Sequence, residues 1–122
     1  MNQEFTHVFV ELNNSIDHIA SKAFKGCSSL KEFDFINTSI KYIGDEAFFN
    51  VNNLDLTTFK LNDELEYISN YGFANAFTTP AVSTEILIPS SVKGIGARSF
   101  SNFVNNDGNN IIITFNFGDG KN

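Results

Sequence analysis

The sequence predicts an α/β solenoid. This is a stack of short coils with a parallel β-sheet on one side and turns or short helical turns on the other. Three observations predict it. One phrase is written four times, at Ser15–Cys27 (SIDHIASKAFKGC), Ser39–Val51 (SIKYIGDEAFFNV), Glu64–Ala76 (ELEYISNYGFANA) and Ser91–Phe103 (SVKGIGARSFSNF). Its phenylalanines recur after 24, 25 and 27 residues, from Phe24 to Phe48, Phe73 and Phe100. A second phrase that alternates apolar and polar residues follows each copy, and alternation is the period of a strand. Self-similarity at a fixed period of this length marks a stacked-repeat architecture. One such unit cannot bury its apolar face alone, so it packs against its neighbours.

The elements follow in order. Val8–Leu12 reads as a strand that precedes the first Phe unit, so residues 5–14 are half a repeat. The strand phrases after each Phe unit are Leu30–Phe35, Leu56–Leu61, Ser83–Ile88 and Ile112–Phe117. Phe33 and Phe35 are expected to turn inward. Phe117 is aligned with Ile88, which places Thr114 beside Glu85 and Asn116 beside Leu87. Asn13-Asn14, Asn37-Thr38-Ser39, Asn62-Asp63 and Pro89-Ser90-Ser91 are turn formers between a strand and the next Phe unit, where a second extended piece begins. The segments around Ala23-Phe24, Ala47-Phe48, Gly72-Phe73 and Ser99-Phe100 are expected to form single helical turns held by packing. The small residue before each Phe lets neighbouring coils approach. The connections lengthen along the chain, which places Thr78–Ala81 and Asn105–Asn110 in surface loops and leaves the Gly118–Asn122 tail to fray. The repeats then divide one domain, 1–122, into units of about 15–38, 39–63, 64–90 and 91–117.

Composition bounds the function. The 122 residues contain 14 Phe and no Trp, and 42% are hydrophobic, which is enough for a real core. Each fully buried large side chain contributes roughly 1.5–3 kcal/mol. The net charge of −6 argues against nucleic acid as a partner, because phosphate binding needs a basic face. One cysteine, Cys27, permits no intrachain disulfide. No apolar run is long enough to span a membrane. The first residues lack a basic n-region and a long apolar h-region, so no signal peptide is read. The chain as it stands is expected to be cytoplasmic, or at the surface or secreted if it is a piece of a longer protein.

The string Ile86–Phe100 (ILIPSSVKGIGARSF), with Ser39–Phe48 (SIKYIGDEAF) and Ala23–Leu30 (AFKGCSSL), resembles the repeat of BspA-like leucine-rich-repeat proteins. That unit runs strand, Pro, Ser-Val, two variable residues, Ile-Gly, then Ala-Phe and often Cys. The resemblance covers roughly Val8 to Phe117. The third copy departs most, with Gly72 for Ala, Ala76 for Cys and Ser83 for Leu, and the Cys position is kept only at Cys27. The resemblance implies a right-handed solenoid that binds other macromolecules, often as a surface protein in adhesion, with no catalytic residues and no cofactor.

Residues that look chemical in isolation have repeat explanations. Cys27 and His18 could be a nucleophile and base. However, Cys27 stands at an apolar repeat position shared with Val51, Ala76 and Phe103, and His18 stands at a variable one shared with Tyr42, Tyr67 and Gly94. One Cys and two His make a zinc site untenable. Asn105, Asp107 and Asn109 alternate like calcium ligands, but the glycine is misplaced and Asn116 stands where the closing Glu belongs. Gly94–Ser99 loosely resembles a phosphate loop, yet Gly96 aligns with Gly44 and no long helix follows. Asn13-Asn14-Ser15 and Asn37-Thr38-Ser39 are formal glycosylation sequons in repeat turns. No catalytic, cofactor or metal residue is assigned.

What the repeat leaves free is the outward strand face. Stacking aligns Glu11, Asp34, Lys60, Leu87 and Asn116 in one row and Phe9, Glu32, Thr58, Glu85 and Thr114 in another. The candidate partner-binding residues are Glu32, Asp34, Thr58, Lys60, Glu85 and Leu87. Repeat stacks use such extended surfaces. The expected function is non-catalytic protein–protein interaction, with a partner of some basic character. The alternatives are adhesion to glycan or host matrix, and self-association into a homo-oligomer through the exposed ends.

Overall fold

The computed structural model describes residues 8–11, 16–78, 84–101 and 111–116. The described residues form eight strands: β1 (Val8–Glu11), β2 (His18–Ile19), β3 (Leu30–Asp34), β4 (Tyr42–Ile43), β5 (Tyr67–Ile68), β6 (Thr84–Ile88), β7 (Gly94–Ile95) and β8 (Ile111–Phe115). All pairings are parallel. β2, β4, β5 and β7 form one four-stranded sheet, β1 pairs with β3, and β6 pairs with β8.

The register follows the repeat. His18, Tyr42, Tyr67 and Gly94 lie side by side, as do Ile19, Ile43, Ile68 and Ile95. Phe9 stands opposite Glu32 and Glu11 opposite Asp34. Alternation then places every second residue inside. Phe33, Phe35, Ile86 and Ile88 are buried, and so are Ile43, Phe48, Ile68 and Phe73. Phe24, Phe48, Phe73 and Phe100 stack as one column, with centroids 5.2, 5.0 and 5.5 Å apart and planes within 11°.

The expected helical turns do not form: no described residue is helical. Lys22, Glu46, Tyr71 and Arg98, one position before each small residue, all have positive φ, from 54° to 63°. Gly26, Asn50 and Asn75, four residues further on, share that conformation. Left-handed residues interrupt any right-handed helix. The backbone gains a different ladder instead. The N–H groups of Lys22, Phe24 and Gly26 cross to the carbonyls of Asp45, Ala47 and Phe49 at 2.8–2.9 Å, while those of Ala23, Lys25 and Cys27 turn back to Ala20, Lys22 and Phe24 at 3.1–3.2 Å. Every second donor therefore joins two repeats, and the element is a run of turns. The α part of the expected α/β class is accordingly absent from the described residues.

The close approach of the coils explains the small residues. A Cβ on Gly44 would stand 2.7 Å from the backbone nitrogen of Ser21. Ala47 and Ser99 are buried. The Ser99 hydroxyl sits 2.9 Å from the Ser69 carbonyl and 2.8 Å from that of Gly96.

Three further expectations need correction. Leu56–Leu61 is not a strand. Asp55 closes it into a turn: its carboxylate accepts from the Thr57 N–H at 2.9 Å and the Thr57 hydroxyl at 2.7 Å, and its carbonyl accepts from the Thr58 and Phe59 N–H groups. Local side-chain acceptors compete with a sheet ladder in this way. A single parallel bridge, Leu54 to Phe77, remains. Among the described residues the sheet on the strand side is therefore two separate pairs.

The last strand pairs two residues earlier than expected, with Ile88 opposite Phe115, Leu87 opposite Thr114 and Glu85 opposite Ile112. That register puts Ile113 against the core beside Ile86. Cys27 is exposed, although its counterparts Val51 and Ala76 are buried. Those two lie between repeats, whereas Cys27 belongs to the first Phe unit and only the following unit stacks on it among the described residues. The Asn105–Asn110 loop and residues 79–81 of the Thr78–Ala81 segment lie outside the described residues.

Candidate interaction face

The turn at Asp55 shapes the strand side. Between β3 and β6 the chain dips into a turn, and a shallow hollow opens on each side of Lys60. One, of about 300 Å³, is lined by Glu32, Asp34, Ile36, Asn37, Thr58 and Lys60, with Phe33 and Phe35 at its floor. The other, of about 230 Å³, is lined by Lys60, Asp63, Glu85, Leu87, Pro89 and Asn116, with Phe59, Leu61 and Ile86 beneath. All six outward residues singled out from the sequence line one hollow or the other, and Lys60 lines both.

The two hollows share a chemistry. Each carries one exposed aliphatic side chain, Ile36 or Leu87, both 48% exposed. Each carries two carboxylates, Glu32 and Asp34 in the first and Asp63 and Glu85 in the second. Asp34 is held in place by Asn37, whose amide donates to Oδ2 at 2.7 Å. Glu85 accepts from the Thr114 hydroxyl at 2.6 Å. Lys60 forms no salt bridge among the described residues. Four acids surround one cation, so the face as a whole is acidic.

Sequence reasoning missed Ile36 and Asp63. Ile36 directly follows the inward Phe35, and strict alternation would have put it outside. Asp63 reads from the sequence as an exposed, solvated turn acid. Its place at a hollow depends on the path of the preceding turn.

A second exposed feature lies on the four-stranded sheet. Tyr42 and Tyr67 are 46% and 43% exposed, with ring centroids 6.2 Å apart. They border an open depression of about 290 Å³ that continues over Gly94 and Gly96. His18, in the same row, hydrogen-bonds through Nδ1 to Asp17 at 2.9 Å, and this bond holds the Asp17 carboxyl below its ordinary range. Among the described residues no group of three His, Cys, Asp or Glu side chains could hold a metal, and no helix is long and apolar enough to cross a membrane.

The family model for BspA type leucine rich repeat regions matches residues 2–117, in six copies. The chain belongs to the BspA-type leucine-rich-repeat family. The six copies compare with four Phe units and a leading half-repeat counted from the phenylalanine spacing. No curated protein and no solved structure matches the chain. Repeats of the BspA type generally mediate protein interaction or adhesion. In this BspA-type chain the repeat positions account for the Ile, Phe and small residues, and the residues around Lys60 lie outside that pattern.

Proposed function

We propose that the chain is a right-handed solenoid that serves as a non-catalytic protein-interaction module, with the hollows around Lys60 as its binding face. The observation that carries this reading is the convergence of Glu32, Asp34, Asp63 and Glu85 on two hollows that flank one lysine and each contain an exposed aliphatic residue. Such a surface fits an extended segment with alternating basic and apolar side chains. The acids would set orientation and association rate more than raw affinity. Ile36 and Leu87 supply apolar area to desolvate.

The test is selection of binders from a random peptide display library, followed by binding of the selected peptides to Asp34→Lys and Glu85→Lys variants. The reading predicts enrichment of Lys- and Arg-containing peptides and loss of binding by both variants. Peptides that bind both variants unchanged would contradict it.

Adhesion to glycan is a second reading, supported by Tyr42 and Tyr67. Two exposed neighbouring rings can stack against the flat apolar faces of sugars. Here Tyr42→Ala would abolish retention on a glycan array, and Asp34→Lys would leave it intact.

A further inference from the structure

The two outermost Phe units are built like the inner ones, yet each has one side without a neighbour among the described residues. In the phenylalanine column the middle rings, Phe48 and Phe73, are buried, and the end rings, Phe24 and Phe100, are only partly so. The backbone repeats this asymmetry. Within the stack, the N–H groups of Glu46 and Phe48 cross to the carbonyls of Asn70 and Gly72, and those of Tyr71 and Phe73 cross to Ala97 and Ser99. The equivalent donors of the last unit are the N–H groups of Arg98 and Phe100. The equivalent acceptors of the first are the carbonyls of Ser21 and Ala23. All four lack partners among the described residues. The same holds for the carbonyls of Lys93 and Ile95 at one end and the N–H groups of Asp17 and Ala20 at the other. Donors at each end match acceptors at the other.

Charge follows the same pattern. The residue before each central strand reads Asp17, Lys41, Glu66, Lys93, so its sign alternates from repeat to repeat. Lys93 and Glu66 approach to 3.5 Å. One more repeat step from Lys93 leads, in a second copy, to Asp17, and the alternation continues. Arg98 would meet Lys22 as the one like-charged neighbour, and both side chains are exposed.

Four Phe units are flanked by five strand-side segments: β1, β3, residues 54–61, β6 and β8. A second copy placed one step beyond Phe100 would bring its β1 to the place that β8 already holds. β8 pairs with β6 in the same parallel sense in which β1 pairs with β3, so its outer edge is of the kind that β3 accepts.

We propose that this surface binds a second copy of the same chain head to tail, and that β1 is a removable cap on it. In the joint, β8 of one copy replaces β1 against β3 of the next, and Phe100 stacks on Phe24. This contact is heterologous and does not close by itself, so it generates open chains of copies. It uses the ends of the stack, and the paired elements also border the hollows around Lys60, through Glu32 and Asp34 on β3 and Asn116 beside β8.

Sedimentation velocity on the full chain tests it. Val10→Pro removes a donor from the middle of β1 and loosens that strand. The unmodified chain should sediment as a monomer, and the variant as dimers and longer species at the same concentration. Ala23 is exposed at the first unit, whereas its counterpart Ala47 is buried. Adding Ala23→Glu to Val10→Pro should therefore return the chain to monomer by placing a carboxylate in the joint. A misfolded aggregate would not be cured by one substitution at an exposed site. A Val10→Pro chain that remains folded by circular dichroism and monomeric at its highest soluble concentration overturns the proposal. So does assembly that survives Ala23→Glu.

Discussion

The ring of Phe48 lies 5.0 Å from that of Phe73, with their planes 7° apart. The two residues are 25 positions apart in sequence, so one repeat step carries one ring onto the other. Both are fully buried. Phe73→Ala should destabilise the chain by about 3–5 kcal/mol, the usual cost of emptying a buried phenylalanine site. Phe100→Ala, at a half-buried end of the column, should cost clearly less. Urea unfolding of the two variants gives the comparison.

Two glycines should respond in opposite ways. Gly44→Ala places a Cβ 2.7 Å from the Ser21 nitrogen, and backbone atoms cannot move aside cheaply. A drop of several degrees in Tm is expected. Gly26 has φ +73° with open space around it, and its counterparts Asn50 and Asn75 adopt the same conformation as asparagines. Gly26→Asn should leave Tm nearly unchanged, while Gly26→Val should lower it through backbone strain.

Asp55 holds the turn that opens the hollows. Asp55→Ala removes acceptors from the Thr57 N–H and hydroxyl and should cost about 1 kcal/mol, the range of a lost capping bond. Amide exchange at Thr57 should accelerate. Exchange at Ile86, inside a paired strand, should not.

The Asp17 carboxyl titrates below its ordinary value of 3.8, chiefly because the His18 side chain hydrogen-bonds to it. A depressed folded-state value stabilises the fold above the ordinary value, and that contribution disappears as pH falls through the lower, folded one. The site is exposed, so its weight in overall stability is small. NMR titration of His18→Ala should move the Asp17 carboxyl upward, toward 3.8.

The repeat was legible because stacking restricts the same positions in each copy. Phe24, Phe48, Phe73 and Phe100 announce a column, and the rows His18–Tyr42–Tyr67–Gly94 and Glu11–Asp34 follow from their offsets. Features that depend on competition between local hydrogen bonds were not legible. The Leu56–Leu61 phrase alternates like a strand, but nothing in its own pattern shows that Asp55 will capture the Thr57 N–H. Nor does the Phe-unit sequence reveal that Lys22, Glu46, Tyr71 and Arg98 adopt positive φ, since their side chains share no preference for it. The register of β8 was not legible because Ile111, Ile113, Phe115 and Phe117 are all apolar, so a slip of two residues keeps the same inward alternation. The outward residues of the candidate face were found by subtraction, as what remained once the core was assigned. Their grouping around Lys60 required the turn.

The most direct measurement is chemical-shift mapping of the isotope-labelled chain during titration with a library-selected basic peptide. The largest shifts should cluster at Glu32, Asp34, Thr58, Lys60, Glu85 and Leu87. Shifts centred on Tyr42 and Tyr67, with the Lys60 face unmoved, would contradict it.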